Sequence, residues 1–330
     1  MSFGMSGTTA QAADVTLRMH QFLPAQANVP KHILDVWAEK VEADSKGRIE
    51  IQHFPSMQLG GKPPHLYDQV VDGVADIVWT VGGYSPGRFP RAEVFELPFT
   101  MTNAEAVSKA YWELAEETML DQDFKDVKVI SLFVHGPGLI HSSKPITSVK
   151  DLNGVKLRAP TRIVNKMVSD LGATAVGMPV PAVPEALSKG VIDATVIPWE
   201  VTGALKVPEL VKNHTEFGDE TLYTTTFIFA MNKDRYNALP DDLKAVIDAN
   251  SGLEVSGWMG KTMASFDAPG RASAEAAGNN IITLDESQVA EWKAAAGAVA
   301  DEWAAELDGK GLDGTGLRAR AAELTAKHTK

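Results

Sequence analysis

Apolar and polar positions alternate over VTLRMHQF (residues 15–22), the period-two mark of a strand with one buried face. Helical spacing follows from about Val29 to Ser45, where Ile33, Leu34, Val36, Trp37 and Val41 form one stripe, and Gly47 ends it. RIEIQHF (48–54) alternates again. Two strands joined by a helix of this length predict a parallel pair with a right-handed crossover. HLYDQVVDGV (65–74) returns to helical spacing and ADIVWTV (75–81) to a strand, so the chain opens as an α/β sheet. Past the turn-rich GGYSPGRFP and ELPF (96–99), a helix is predicted from Asn103 to Leu120. Asn103 or Thr102 is its N-cap, with Glu105 in the first turn. VKVISLFV (127–134) is a strand that HGPG stops.

A second α/β unit begins there. Its pieces are KLRAP, a helix from Thr161, a strand at ATAVGM (173–178), a helix at PEALSKG (184–190) and a strand at DATVIP (193–198). TLYTTTFIFAMN (221–232) is a β run of twelve residues, long enough to pass from one lobe to the other. Residues 239–268 carry one long helical pattern that Pro269 must kink or end. A further amphipathic helix covers about Glu286 to Leu307, and RARAAELTAKHTK suggests a last, loosely held one. No internal repeat or low-complexity segment is found.

The 330 residues suffice for two domains. A net charge of −12 speaks against phosphate-backbone binding. The absence of cysteine excludes disulfides, thiolate metal sites and cysteine nucleophiles. No apolar run approaches the roughly 18–20 residues that span a bilayer. Ala10-Gln11-Ala12, ahead of Ala13 and Asp14, has the small-x-small form of a signal-peptidase site, although the apolar core of a signal is missing. Residues 1–13 are therefore set aside as the remnant of a leader or tag.

In GVKLRAPT (154–161), Arg158 stands at the end of a strand, just before a helix N-terminus. It is either a solvated charge or the anchor of an anion site. Open α/β sheets bind ligands beyond the carboxyl ends of their strands. Two such lobes facing each other form a cleft that can close. A guanidinium there offers a bidentate fork to a carboxylate, and the helix N-terminus adds free N–H groups.

Several stretches come in the order of a known family. They are HxF after the first strand, SKGRIEIQHFPSMQLGG, VVDGVADIVWT, FELPF, SSKPITSVKDLNGVKLRAP, LGATAVGMPVPAVPEALSKGVIDA and MNKDRYNALPDDLKAVI. From about Val15 to Asn280 the chain resembles the periplasmic solute-binding subunits of TRAP transporters, the DctP-like family. The resemblance implies a two-lobe periplasmic-binding-protein fold of the α/β class, with crossing strands and a long hinge-spanning helix. Lobe I would hold residues 14–134 and 223–262. Lobe II would hold 135–222 and 263–330 with the C-terminal helices. It further implies a periplasmic receptor that closes on a small carboxylate and delivers it to membrane subunits, with no cofactor, no metal and no catalysis. The family's anchoring arginine lies in K-[LV]-R-x-[PT], here Lys156 to Pro160, which assigns the carboxylate to Arg158.

Carried over position by position, the rest of the pocket draws on His20, Gln21 and Phe22; Trp79, Val81 and Tyr84; Met178 and Val180; and Ile197, Trp199 and Glu200. His135 and Tyr223, near the lobe crossings, complete it. Many relatives place Asn, Glu or a second Arg at such positions; here they are largely aliphatic, glycine or aromatic. One cation among apolar walls favours a monocarboxylate with an apolar or aromatic body, such as benzoate or a hydroxybenzoate, because a second buried carboxylate would go unpaired. Tyr84, His135 or Gln21 could bond a hydroxyl. A 2-oxo, 2-hydroxy or sugar acid is the alternative ligand.

Trp37, Trp112, Trp258, Trp292 and Trp303 fall on helical stripes and are expected in the core; Trp79 suits core or cleft. Glu200 either faces solvent or fixes a pocket residue. The remaining histidines show no metal-ligand spacing and are expected at the surface or with satisfied rings. The other function classes are a two-lobe enzyme and a sensor partner protein. The enzyme lacks a G-x-S-x-G elbow and a strand-linked G-x-G-x-x-G. The sequence does not separate sensing from transport.

Overall fold

The first alternating stretch forms β1 (Val15–His20) in the computed structural model, which describes residues 13–329. Leu17 and Met19 of β1 are fully buried. A π-helical turn, Pro30–Leu34, runs into α1 (Asp35–Asp44), and left-handed Gly47 turns the chain back. β2 (Ile49–Phe54) then lies parallel to β1, with Leu17 opposite Ile51. α2 (Leu66–Val71) leads to β3 (Ile77–Val81), which joins the other edge of β1. α3 (Ala104–Thr118) begins at Asn103, whose side chain accepts the Ala106 N–H, and β4 (Val127–Val134) follows.

At His135–Pro137 the chain crosses to a second sheet. Its strands are β5 (Gly138–Ser142), β6 (Lys156–Ala159), β7 (Thr174–Gly177), β8 (Ala194–Pro198) and β9 (Asn213–Glu216). Between them lie α4 (Arg162–Asp170), α5 (Val183–Ser188) and α6 (Val207–Leu210). The chain then returns. Tyr223 bridges to Gly138, and β10 (Thr226–Asn232) runs antiparallel between β3 and β4. All seven β10 residues are buried, as suits a central strand covered on both faces. The expected twelve-residue run does pass between lobes, though only its second part is strand.

Past β10 come α7 (Lys233–Asn237), α8 (Asp241–Ala249), α9 (Leu253–Ala264) and α10 (Asp267–Ala276). Then follow β11 (Asn280–Thr283), α11 (Glu286–Ala296), α12 (Ala298–Gly309) and α13 (Gly314–His328). The first sheet has the order β2-β1-β3-β10-β4 and the second β11-β9-β5-β8-β6-β7. This is the expected α/β architecture of two lobes with crossing strands.

Three expectations need correction. The pattern over 239–268 is carried by three helices in series, broken at left-handed Gly252 and again at Ser265–Phe266. Helix α9 lies on α3 and β4, while α10 lies on the turn after β8, so together they span the lobes. Pro269 ends nothing. It sits in the first turn of α10, where no N–H is required. The tail helix is not loosely held beside the second lobe. Leu317, Ala321 and Leu324 of α13 are buried, and it packs along α3, where Arg320 meets Glu117 and Lys327 meets Glu113. The expected leader remnant lies, but for Ala13, outside the described residues.

Candidate functional site

Arg158 is the penultimate residue of β6 and lies between two neighbours, opposite Val176 of β7 and Thr195 of β8. Its side chain is 1% exposed. Nε donates to the Met178 carbonyl at 2.9 Å and Nη1 to the Val196 carbonyl at 3.1 Å. Nη2 has no partner, and no Asp or Glu pairs with the guanidinium among the described residues. Two backbone carbonyls from the flanking strands therefore aim the fork without neutralising it. A buried charge left this way is costly unless an anion arrives.

Tyr84, His135 and Tyr223 stand close to this charge. Burial raises the two tyrosine hydroxyls, and Arg158 pulls them back. Burial lowers His135 to about 4; a bond to the Gly136 carbonyl opposes that and Arg158 adds to it, so the ring is neutral at physiological pH. The edge of His135 meets Tyr223 at 5.4 Å between centroids.

The cavity beyond Arg158 holds ≈ 410 Å³ of space between atoms. An aromatic stack forms one wall. Trp79 lies between Phe22, at 4.6 Å and 20°, and Phe227, at 5.1 Å and 19°. Val81, Ile197, Val201 and Met263 add to the apolar lining. Among polar groups, Trp79 Nε1 and Thr225 Oγ1 are buried without partners.

Ten of the fourteen pocket residues read from the sequence line this cavity: Arg158, Phe22, Trp79, Val81, Tyr84, His135, Val180, Ile197, Glu200 and Tyr223. Four do not. The amide of Gln21 folds back on its own chain, donating to the Leu23 carbonyl at 2.8 Å and accepting the Leu23 N–H. Trp199 turns to the far side of its turn, where Nε1 donates to Glu216 at 2.8 Å and the ring packs on His141 and His214. His20 is tied to Gln69 at 2.8 Å, away from the cavity. Met178 contributes only its carbonyl to Arg158.

Phe227 and Thr225 were missed, yet Tyr223, Thr225 and Phe227 recur with period two, which places them on one face once Tyr223 is assigned. Met263 comes from α9 and carried no signal. Trp79 proves to be both core and cavity wall. His141 and His214 meet Nδ1 to Nδ1 at 2.7 Å in a buried pair, which leaves His214 Nε2 without a partner.

Glu200 neither faces solvent nor fixes a neighbour. It lies in the turn Trp199–Val201 after β8, is 2% exposed and lines the cavity. Both of its carboxyl oxygens lack partners. Its backbone is clamped from two sides. Asp267 of α10 accepts its N–H at 2.8 Å, and Asn28 of the first lobe donates to its carbonyl at 2.8 Å. Burial, and then the Asp267 carboxyl, push Glu200 up to about 8. Among the described residues no cluster of three or more His, Asp or Glu side chains is placed to hold a metal ion, and no helix is long and apolar enough to cross a membrane.

Across the cavity mouth the lobes touch directly. The Tyr84 hydroxyl accepts the Val180 N–H, and Arg162 of α4 pairs with Glu93 of the first lobe.

Comparison with known proteins gives matches along most of the chain. The family model DctP, bacterial extracellular solute-binding protein, family 7, matches residues 20–307. A TRAP solute-binding protein of Rhodoferax ferrireducens, crystallised with co-purified benzoate, is 50% identical with a TM-score of 0.94; the match covers 95% of this chain and 98% of that one. A marine metagenome TRAP solute-binding protein specific for aromatic acids, crystallised with 3-hydroxybenzoate, is 48% identical with a TM-score of 0.94, over 97% and 100%. The outer membrane transporter protein TsaT of Comamonas testosteroni is 26% identical over 92% of this chain and 90% of its own length.

Proposed function

The chain belongs to the DctP family, family 7 of the bacterial extracellular solute-binding proteins, as a receptor of the TRAP type, and on that premise we propose that it captures a small aromatic monocarboxylate, benzoate or a hydroxybenzoate. The observation that carries this reading is the buried, unneutralised fork of Arg158 at the head of an aromatic-walled cavity. The ligand's carboxylate takes the free Nη2 position, and its ring lies along Phe22, Trp79 and Phe227. Exclusion of water strengthens the ion pair. Two relatives at about half identity hold ligands of this chemistry, which supports the assignment.

Binding is coupled to closure. The lobes rotate about the crossings at 134–138 and 222–226 and about the α9–α10 junction. The ligand favours the closed state because Arg158, Tyr84 and Val180 meet it together only there. The receptor works in the periplasm and hands its cargo to the membrane subunits of a TRAP transporter. No chemical step on the ligand is part of this role.

A thermal-shift panel tests it. Aromatic acids, 2-oxo and 2-hydroxy acids, dicarboxylates and sugar acids are compared at equal concentration. A ligand at about a hundred times its Kd adds roughly 2.7 kcal/mol of stability, so a clear rise with benzoate-type acids is expected. A rise with dicarboxylates or sugar acids alone would overturn the aromatic-acid reading.

A further inference from the structure

The mechanism above leaves Glu200 unused, and a buried carboxyl with two unpartnered oxygens has a cost that nothing else in the protein repays. Its placement suggests a use. Strand β8 supplies the Val196 carbonyl that aims Arg158, and Glu200 stands four residues further on, beyond the carboxyl end of the same strand. Both side chains line one cavity. Their neighbours differ: Tyr84, His135 and Tyr223 feel the Arg158 charge, whereas Asp267 and Asn28 stand beside Glu200. Apolar and aromatic side chains make up most of the remaining lining.

The backbone clamps have a consequence. Asp267 and Asn28 hold the main chain of Glu200 from both sides, so the side chain is positioned without spending its own oxygens. We propose that Glu200 is a specificity-determining residue that receives a hydroxyl on the ring of the bound aromatic acid, in the cavity it shares with Arg158. This rests on the aromatic-acid reading above. Held protonated by burial and by Asp267, the carboxyl offers one donor and one acceptor, the complement of a phenol hydroxyl. A site built to bond a hydroxyl discriminates against an analogue that lacks it, because its own polar group then stays unpaired.

The test is titration calorimetry of the full chain with benzoate, the 3- and 4-hydroxybenzoates and the 3- and 4-methylbenzoates. One hydroxybenzoate should bind at least about 10-fold tighter than the methylbenzoate of the same substitution. In Glu200→Leu that preference should vanish. Equal affinity of the hydroxy and methyl analogues in the unmodified protein would overturn the proposal, and this arm does not depend on the variant folding. A preference that survives in Glu200→Leu would also overturn it, and would move the hydroxyl to Thr225 or Trp79. Failure of every aromatic acid to bind the unmodified protein would instead remove the aromatic-acid reading, and this proposal with it.

Discussion

The hydroxyl of Tyr84 in the first lobe accepts a 2.8 Å hydrogen bond from the backbone N–H of Val180 in the second, beside the Arg158 guanidinium. This bond exists only when the lobes are together. Tyr84→Phe removes the acceptor and leaves the Val180 N–H buried and unpaired in the closed state. The expected loss is about 1–2 kcal/mol, or roughly 5- to 30-fold in Kd, expressed mainly as faster dissociation. Stopped-flow release of benzoate measures it. An unchanged release rate would mean that this contact does not hold the closed form.

Gly83, the neighbour of Tyr84, approaches the other lobe closely. A Cβ added there would lie 2.4 Å from Thr161 Cγ2 and 2.6 Å from its Cβ. Thr161 caps α4 and cannot withdraw cheaply. Gly83→Ala is therefore a wedge against closure that touches neither Arg158 nor the aromatic wall. Overpacking of this kind costs about 1–3 kcal/mol. The variant should melt like the parent without ligand and bind benzoate roughly 5- to 150-fold more weakly. A lowered unliganded melting point with unchanged affinity would contradict it.

Six buried titratable groups with large shifts carry most of the pH dependence of stability near neutrality. His135, His141 and His214 are lowered to about 4, 3 and 4, with burial the largest cause in each. Glu96, Glu200 and Asp267 are raised to about 7, 8 and 7, again first by burial. Below about 6.5 the unfolded chain protonates its histidines while the folded chain does not, so their contribution is present above 6.5 and lost as pH falls. The carboxyl contribution is present below about 4 and lost as pH rises through 7 to 8. Between about 4.5 and 6.5 the two slopes oppose each other. Above 6.5 only the carboxyls remain, each worth up to about 1.4 kcal/mol per pH unit. The melting temperature should be nearly flat from pH 5 to about 6.5 and fall towards pH 8.5. Glu200→Gln with Asp267→Asn should flatten that fall; a melting curve that rises over this range would show the carboxyls ionised in the fold.

The first sheet was legible because period-two and helical spacings changed at real boundaries, as with VKVISLFV, which is β4 to the residue, whereas β5, β9 and β11 of the second sheet are too short to show an alternation and were not read. Helix breaks were harder to read. Gly252 and the Ser265–Phe266 corner interrupt a continuous apolar pattern through backbone conformation, which composition does not encode. The place of α13 depended on a distant surface, that of α3, and no local spacing specifies such a partner. Within the site, Arg158 was readable from its strand-end position and its motif. Trp199 was misplaced because it shares one tight turn with Glu200, where adjacent side chains diverge and strand alternation no longer applies. Gln21 was misplaced because its amide bonds its own backbone instead of facing the cleft.

The central claim is that Arg158 remains unneutralised until a ligand carboxylate arrives. Calorimetric titration of benzoate into the parent protein and into Arg158→Met, each with its unliganded melting point, tests it most directly. The expected result is tight binding to the parent and a loss of about 3–5 kcal/mol in the variant, two to three orders of magnitude or more in Kd. The unliganded melting point should stay near the parent's, because relief of the buried, unneutralised charge offsets the two hydrogen bonds lost to the Met178 and Val196 carbonyls. Benzoate binding to Arg158→Met within about tenfold of the parent would contradict the account.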